Sequence, residues 1–305
     1  MTDPLKFLRH GTRLPMKKLA IIYSHGGIGD YIQFTQAIQY NLETYRWLTG
    51  EIFVKPFFKE LAEHWLTPYL DNRYKITVVE SFAKSRPDIV KYGKGVSGSV
   101  GSLNTLNSSI MKVGFHQFAD MTYIPDDYNH YPSLDTSAVK LNVELPKKYA
   151  VITTMSTSPV RTLKAETINS VVNYLSERGI TSVFLGKEEL DPEVNYKGRS
   201  VEGVDYTKGI DLRNQTTLME AAKIMNDSEL TLGLDNGLLH LASCTDTNVL
   251  WAFNTVDPTL RLVKRPTDKG ETLVITPPKD KLNCTFCQSN MMFMIDHDFR
   301  QHSVS

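Results

Sequence analysis

The fold of this chain is decided by residues 229–258, which read ELTLGLDNGLLHLASCTDTNVLWAFNTVDP. The apolar run 229–234 predicts a strand, the polar residues 235–237 end it, and residues 238–244 can form a short helix. Residues 248–253 are apolar again and predict a second strand. This β-turn-α-β unit is typical of an open parallel sheet, in which ligands bind beyond the carboxyl ends of the strands.

The turn of this unit is a candidate ligand site. Gly237 would let the backbone amides of the following helix approach an anion closely. Asp235 and Asn236 therefore stand where a phosphate or a sugar would be held. Asp-Asn-Gly is also an ordinary turn sequence, so the turn alone does not decide between a site and a connection.

The residues just upstream predict the preceding crossover helix. Thr217 and Glu220 have the spacing of a capping box, which places the first helical residue at Leu218. Apolar residues then recur on one helical face up to Met225. A helix followed by the strand at 229–234 extends the alternating pattern of a parallel sheet.

These residues together resemble glycosyltransferase family 9, the ADP-heptose:lipopolysaccharide heptosyltransferases. The matching positions are Asp211, Thr217-Leu218, Glu220, Asp227, Leu230, Gly233, Asp235-Asn236-Gly237, His240-Leu241-Ala242 and Asp257-Pro258. The resemblance implies an α/β protein of the GT-B kind, with two facing Rossmann-like βαβ domains. Residues 1–146 would form the acceptor-side domain, and residues 147–305 would bind the nucleotide sugar and end in a closing helix at 286–301.

Size and charge agree with a soluble two-domain protein. The 305 residues are 41% hydrophobic, which is enough for two ordinary cores. Lys+Arg and Asp+Glu both number 34, so the net charge of zero does not indicate nucleic acid as a partner. We find no apolar run of the ~20 residues that cross a bilayer and no secretory signal. We therefore expect a cytoplasmic protein, with peripheral contact to a membrane surface left open.

The three cysteines fit a reducing compartment, because they are too few for a disulfide scaffold. Cys284 and Cys287 form a single CxxC pair, and Cys244 is the third cysteine. A zinc ion there would need further ligands, for which His297 and His302 are the nearest candidates. A reduced structural pair is the simpler interpretation, and we predict no metal and no cofactor.

The first domain opens with a strand at 19–24, the turn HGGIGD and a helix from Tyr31. The turn lacks the second half of the dinucleotide fingerprint GxGxxG. By resemblance, Gly27 and Gly29 shape the turn, and Asp30 is the catalytic base that faces the interdomain cleft. The alternative is that Asp30 only caps the helix.

Further strands are predicted at 51–56 and 74–80, with a helix at 58–70 between them. Residues 84–106 are rich in Ser, Gly, Lys and Asn, and they predict a mobile loop that could close over a substrate. His116 follows this loop. A lone His is usually structural, so His116 is not included among the catalytic residues.

The second domain begins with a strand at 149–154 and a helix at 165–178. By resemblance, the loop between them contacts the nucleotide diphosphate through Lys164, with Arg161, Thr154 and Ser156 close by. The chain departs from the family in two places. Lys-Ala-Glu stands at 164–166 where the family commonly has Lys-Trp-Pro, and Asn236 replaces a Ser or Thr.

A competing motif lies near the start of the chain. Residues 9–15, RHGTRLP, reproduce the signature of histidine acid phosphatases, and His297-Asp298 could supply their distal pair. His10 would then accept the phosphoryl group while Arg9 and Arg13 bind it. That motif needs a buried strand before the His, and the residues before it are too few and too charged to form one.

The predicted function is inverting, metal-independent sugar transfer. Asp30 would take the proton of an acceptor hydroxyl on a glycan or glycolipid. Lys164, Arg161 and the amides after Gly237 would meet the charge of the leaving diphosphate. Asp235 would bind sugar or ribose hydroxyls, and His240 would pack behind the site. A protein that binds nucleotide sugars without turnover is the remaining alternative.

Overall fold

The computed structural model describes residues 19–22, 27–44, 49–70, 72–80, 95–97, 131–154, 156, 162–187, 203–254, 257–258, 261–262, 264–266 and 270–277. The chain divides into two compact units, Met1–Pro132 and Ser133–Ser305. This division comes before the boundary expected after residue 146. The backbone amide of Leu134 donates a hydrogen bond to the Cys244 carbonyl (2.9 Å), and the Leu134 side chain is buried. Contacts of this kind attach the start of the expected linker to the second unit.

The first unit contains a four-stranded parallel sheet in the order β3-β2-β1-β4. Its elements in chain order are β1 (Leu19–Ile22), α1 (Ile28–Thr44), β2 (Gly50–Val54), a 3-10 turn (Pro56–Phe58), α2 (Lys59–Leu70), β3 (Tyr74–Val78) and β4 (Gly95–Ser97). The first three strands and both helices were predicted. Helix α1 begins at Ile28 rather than Tyr31, which places Asp30 in its first turn.

The two helices of this unit are joined by aromatic packing and one buried hydrogen bond. Phe58 is fully buried between Tyr31 of α1 and Trp65 of α2, with ring centroids 5.1 and 6.2 Å away. Gln39 of α1 donates from Nε2 to the Trp65 carbonyl at 2.9 Å. The aromatic rings pack the two helices together, and the hydrogen bond satisfies a polar group that burial would otherwise penalise.

Strand β4 lies where the sequence predicted a loop. Gly95–Ser97 pairs in parallel with β1, with Val96 opposite Ile21. The prediction of a loop is therefore wrong for these three residues, while the rest of 84–106 lies outside the described residues. The local composition is poor in strand formers. Pairing with a strand that is distant in sequence decides their conformation, as is common for β-structure.

The second unit contains a six-stranded parallel sheet in the order β10-β9-β8-β5-β6-β7. Its elements are β5 (Tyr149–Thr153), α3 (Ala165–Ser176), β6 (Thr181–Leu185), a 3-10 turn (Tyr206–Lys208), β7 (Ile210–Asp211), α4 (Leu218–Asn226), β8 (Leu230–Leu234), α5 (Gly237–Ala242), β9 (Val249–Ala252) and β10 (Thr272–Ile275). Two parallel sheets confirm the α/β class. The edge strands β7 and β10 were not predicted.

Local signals set the start of α4 as expected. The Thr217 hydroxyl accepts from the Glu220 amide (3.2 Å), and the Glu220 carboxylate accepts from the Thr217 amide (2.8 Å). This reciprocal pair is a complete capping box. The prediction that the helix begins at Leu218 is therefore confirmed.

The centre of this sheet is closely packed. Apolar residues of β5, β6, β8 and α3 form one buried cluster that contains Ala150, Ile152, Ile168, Val172, Leu175, Phe184 and Leu232. In β8, a Cβ atom at Gly233 would lie 2.0 Å from Thr153 Oγ1 and 2.7 Å from the Thr153 carbonyl oxygen. Only glycine allows β8 to lie this close to β5.

The strand order reverses between β5 and β8. From β5 the chain proceeds to β6 and β7 on one side, whereas from β8 it proceeds to β9 and β10 on the other. A crevice forms at such a switch point beyond the carboxyl ends of the two strands, and it is the usual ligand position in open α/β sheets.

Candidate functional site

The candidate site is built where β5 and β8 end side by side. Thr153 at the end of β5 is paired in register with Gly233 of β8. Beyond the strands, the Ser156 hydroxyl donates to the Asp235 carbonyl oxygen at 3.5 Å. The structure therefore brings together Ser156 and Asp235, two predicted donor ligands that are 79 residues apart in the chain.

Asn236 links the two strands through its side chain. Its Oδ1 accepts from the amides of Leu238 (3.0 Å) and Leu239 (3.1 Å), which caps α5. Its Nδ2 donates to Thr153 Oγ1 at 2.9 Å. A carboxamide has both an acceptor and a donor end, so one residue fixes the helix and ties it to β5.

This capping changes the expectation for the α5 amides. The sequence interpretation had amides after Gly237 meeting the charge of a diphosphate. Two of them, those of Leu238 and Leu239, are instead hydrogen-bonded to Asn236. These two donors are therefore satisfied within the turn.

Asp235 lies immediately after β8 and is only 4% exposed. Its carboxylate oxygens lie 3.6 Å from His240 Nε2 and 3.5 Å from Arg261 Nε. A buried carboxylate is stable only when it is paired or hydrogen-bonded, and these two side chains provide partners. Asp235 thus forms the centre of a buried polar cluster rather than projecting into solvent.

His240 belongs to the core behind the turn. It is buried, and its ring meets that of Trp251 edge to face with centroids 4.9 Å apart. Trp251 in turn stacks on Phe253 at 5.3 Å. This position agrees with the packing role expected for His240.

Arg261 is a member of the site that sequence reasoning missed. It lies on a turn in which the backbone amide of Arg261 donates a hydrogen bond to the Pro258 carbonyl (3.0 Å). Asp257-Pro258 was recognised as a family match. Nothing in the local sequence, however, indicates that the third residue after Pro258 reaches Asp235.

Thr154 follows β5 and is 2% exposed. Within the described part of the chain its Oγ1 has no hydrogen-bond partner. Leaving a buried hydroxyl unpaired costs about 1–3 kcal/mol. Thr154 thus places a buried hydroxyl beside the switch point for which the described residues supply no partner.

Lys164 is the exposed residue directly before α3. Its backbone is extended, and its carbonyl accepts from the amides of Thr167 and Ile168, both at 3.1 Å. The side chain takes no part in capping the helix. Its partner in the prediction, Arg161, lies outside the described residues.

Asp30 caps the first turn of α1. The Gly27 amide donates to Asp30 Oδ2 at 2.8 Å, and the Asp30 side chain is partly exposed. Gly29 between them is buried. This is the capping geometry that the sequence analysis weighed as the alternative to catalysis. A carboxylate has two oxygens and about four lone pairs, so one such bond leaves capacity to accept a further proton.

A second charged group lies at the edge strand β7. Arg213 donates to Asp211 from Nε (2.8 Å) and Nη2 (2.7 Å), and its guanidinium lies 3.4 Å from the ring centroid of Tyr206. The hydrogen bonds from Arg213 hold the pKa of Asp211 below its usual value. Asp211, which matched the family pattern, therefore has its charge satisfied within the protein.

Two kinds of feature are absent from the described part of the chain. It contains no group of three or more His, Cys, Asp or Glu side chains suited to a metal ion. It also contains no helix that is long and apolar enough to cross a membrane. Several predicted features lie outside the described residues, namely Arg9, His10, Arg13, His116, Cys284, Cys287, His297, Asp298, His302 and the helix at 286–301.

Comparison with known proteins gives one family. The model described as glycosyltransferase family 9 (heptosyltransferase) matches residues 109–278, which is more than half of the chain. The match takes in every described residue of the site at β5 and β8. No curated protein sequence matches the chain significantly.

Similar solved structures share the fold. The dodecameric iron-containing heptosyltransferase TibC of enterotoxigenic E. coli, in complex with ADP-D-beta-D-heptose, has a TM-score of 0.63 and 13% identity over 93% of this chain and 70% of that chain. E. coli heptosyltransferase WaaC with ADP has a TM-score of 0.53 and 12% identity over 91% and 99%. E. coli ADP-heptose lps heptosyltransferase II has a TM-score of 0.54 and 11% identity over 84% and 90%. Identities this low establish the fold alone.

Proposed function

This chain belongs to glycosyltransferase family 9, and we propose that it transfers a sugar from a nucleotide-diphosphate sugar to an acceptor hydroxyl, with inversion and without a metal ion. The observation that carries the proposal is the junction of β5 and β8. There the polar residues Thr154, Ser156 and Asp235 gather at the switch point of a parallel sheet.

An ADP-linked heptose is the first donor to test. TibC was solved with ADP-D-beta-D-heptose, and WaaC was solved with ADP. In this chain, the Thr154 hydroxyl and the Lys164 ammonium are the proposed contacts of the diphosphate, together with Arg161. Asn236 holds the turn in place, so that it shapes the site through the backbone.

The proposed chemistry assigns the base to Asp30. Its carboxylate takes the proton of the acceptor hydroxyl while that oxygen attacks the anomeric carbon from the face opposite the leaving nucleotide. The bond to the diphosphate breaks as the new glycosidic bond forms, and the configuration at carbon inverts. Negative charge grows on the leaving diphosphate, where Lys164 stabilises it.

The acceptor is proposed to be a glycan or a glycolipid. One structural neighbour is described as an lps heptosyltransferase, which makes lipopolysaccharide core sugars a reasonable first panel. The net charge of zero gives no reason to add nucleic acid to that panel.

A thermal-shift panel of nucleotide sugars tests the donor side. A ligand at a hundredfold excess over its Kd stabilises the native state by about 2.7 kcal/mol, so a true donor should stand out from the others. Release of nucleotide upon addition of acceptor then tests transfer. Failure of every nucleotide sugar to raise the melting temperature would contradict the proposal.

The phosphatase alternative is not favoured. Its motif at residues 9–15 lies outside the family match at 109–278, whereas the donor-side residues lie inside it. A protein that binds donor without turnover remains a specific competitor, because Asp30 makes a capping hydrogen bond that needs no catalytic role. Substitution of Asp30 separates these two functions.

A further inference from the structure

We infer that Arg261 is a cation of the donor site, that Asp235 holds its guanidinium in place, and that the guanidinium contacts the diphosphate of the nucleotide sugar. The inference rests on the proposed function and deepens it. Asp235 then becomes a positioning residue that acts through Arg261, instead of a ligand of sugar hydroxyls.

The first support is the burial of Asp235. Asp235 is 4% exposed, and its carboxylate already has two partners, since Arg261 Nε lies 3.5 Å from Oδ2 and His240 Nε2 lies 3.6 Å from Oδ1. The Arg261 side chain is itself 25% exposed. The pair therefore has a buried carboxylate on one side and a partly exposed arginine side chain on the other.

The second support is the location of the pair. Asp235 directly follows β8, and Ser156 from the segment after β5 donates to its carbonyl oxygen. Thr154, also after β5, has a buried hydroxyl without a hydrogen-bond partner among the described residues. A ligand that accepts from this hydroxyl would lie at the same switch point to which Asp235 anchors Arg261.

The third support is that two backbone amides at the start of α5 are already hydrogen-bonded within the protein. The Asn236 side chain already accepts from the amides of Leu238 and Leu239, so these donors do not neutralise an anion. A guanidinium has five N–H donors in a planar fork, and it can bind a carboxylate through one edge and a phosphate through another. Arg261 thus supplies the charge that the helix start does not.

The experiment measures nucleoside diphosphate affinity by calorimetry. ADP, UDP, GDP and CDP are titrated into the wild-type chain, and the tightest one is then titrated into Arg261→Gln and Arg261→Lys. We expect Arg261→Gln to bind about tenfold to hundredfold more weakly, the scale of a lost charged hydrogen bond. Arg261→Lys retains the charge and should recover part of that loss.

The matched control is Arg178→Gln. Arg178 lies at the far end of α3, where its guanidinium lies 3.5 Å from the ring centroid of Tyr174. Arg178→Gln removes the same charge from the same unit, and this variant should bind the diphosphate as tightly as the wild type does. Melting temperatures of all variants show that the fold is retained.

Failure of this inference differs from failure of the proposed function. If the wild type binds none of the four diphosphates, the proposed function is contradicted, and this inference with it. If the wild type binds one of them and Arg261→Gln binds it equally well, only the role of Arg261 is overturned.

A double-variant comparison tests the positioning role of Asp235. If Asp235 acts through Arg261, then Asp235→Asn combined with Arg261→Gln should bind diphosphate no more weakly than Arg261→Gln alone. Losses that add would show that Asp235 contacts the ligand independently and would overturn its role as a positioning residue. If Asp235→Asn does not fold, the Gln and Lys variants of Arg261 still decide the role of the guanidinium.

Discussion

Two strand-to-helix turns of this protein are similar in sequence and different in chemistry. Gly27–Asp30 follows β1 in the first unit, and Asp235–Gly237 follows β8 in the second. Each contains an aspartate and a glycine, and in each a polar side chain caps the helix that follows. By sequence alone, both aspartates were candidates for contact with the substrate.

Burial distinguishes the two aspartates. Asp30 is partly exposed and accepts from the Gly27 amide, whereas Asp235 is buried with His240 and Arg261 within ion-pair distance. A base must reach the proton of an incoming hydroxyl, so partial exposure suits Asp30 for that task. A buried and paired carboxylate is better suited to hold another side chain in position.

The largest expected effect comes from Asp30→Asn. Turnover should fall by about 10²–10⁴, the usual contribution of a positioned general base. The Asn oxygen can still accept from the Gly27 amide, so the melting temperature and donor affinity should change little. Steady-state nucleotide release, calorimetry and thermal melts measure the three quantities.

Three other results of this experiment would each assign a different role. Turnover of Asp30→Asn at the wild-type rate would show that Asp30 is a cap alone and would abolish the contrast between the turns. Absence of turnover in both forms, with donor still bound, would indicate a binding protein. Hydrolysis of a generic phosphate ester that persists in Asp30→Asn and is lost in His10→Ala would indicate the phosphatase.

Lys164→Ala tests the donor side of the comparison. If Lys164 neutralises the diphosphate, its loss should weaken nucleoside diphosphate binding by about 1–3 kcal/mol. Lys208→Ala is a suitable control, because Lys208 is exposed and its ammonium donates to Asn173 at 3.1 Å. Calorimetry that gives equal affinities for both variants would remove Lys164 from the site.

Asn236→Ala should lower stability more than it lowers turnover, which is the opposite of the effect expected at Asp30. Loss of a helix cap costs about 0.5–2 kcal/mol. Asn236→Asp retains the acceptor for the Leu238 and Leu239 amides, loses the donor to Thr153 and adds a negative charge at the start of α5, where such a charge is favourable, so it should be the milder change. Urea denaturation measures both. Equal stability of Asn236→Ala and the wild type would contradict the capping role.

The smallest expected effect is that of chelation. Since the proposed mechanism uses side-chain cations in place of a metal, sugar transfer should persist in EDTA. Activity that is lost in EDTA and restored by magnesium or manganese would contradict this. Metal analysis of the purified chain also tests whether Cys284 and Cys287 retain an ion.

The sequence predicted the parts of this protein whose signals are local. The start of α4 depends on the capping box of Thr217 and Glu220, and the central strands are apolar runs between turn residues. The motif around Asp235–Gly237 was specific enough to indicate the family. These features depend on residues a few positions apart, so the chain carries them independently of its fold.

Tertiary structure decided what depends on distant partners. Strand β4 exists because Gly95–Ser97 pairs with β1. The second unit begins at Ser133, before the predicted boundary, and the Leu134 amide is hydrogen-bonded to the Cys244 carbonyl of that unit. Asn236 caps α5 and reaches Thr153, and Asp235 is buried against Arg261. Burial and ion pairing arise only when separate segments meet. The sequence therefore determined which residues form the turns, and the folded sheet determined which aspartate is enclosed and which is partly exposed.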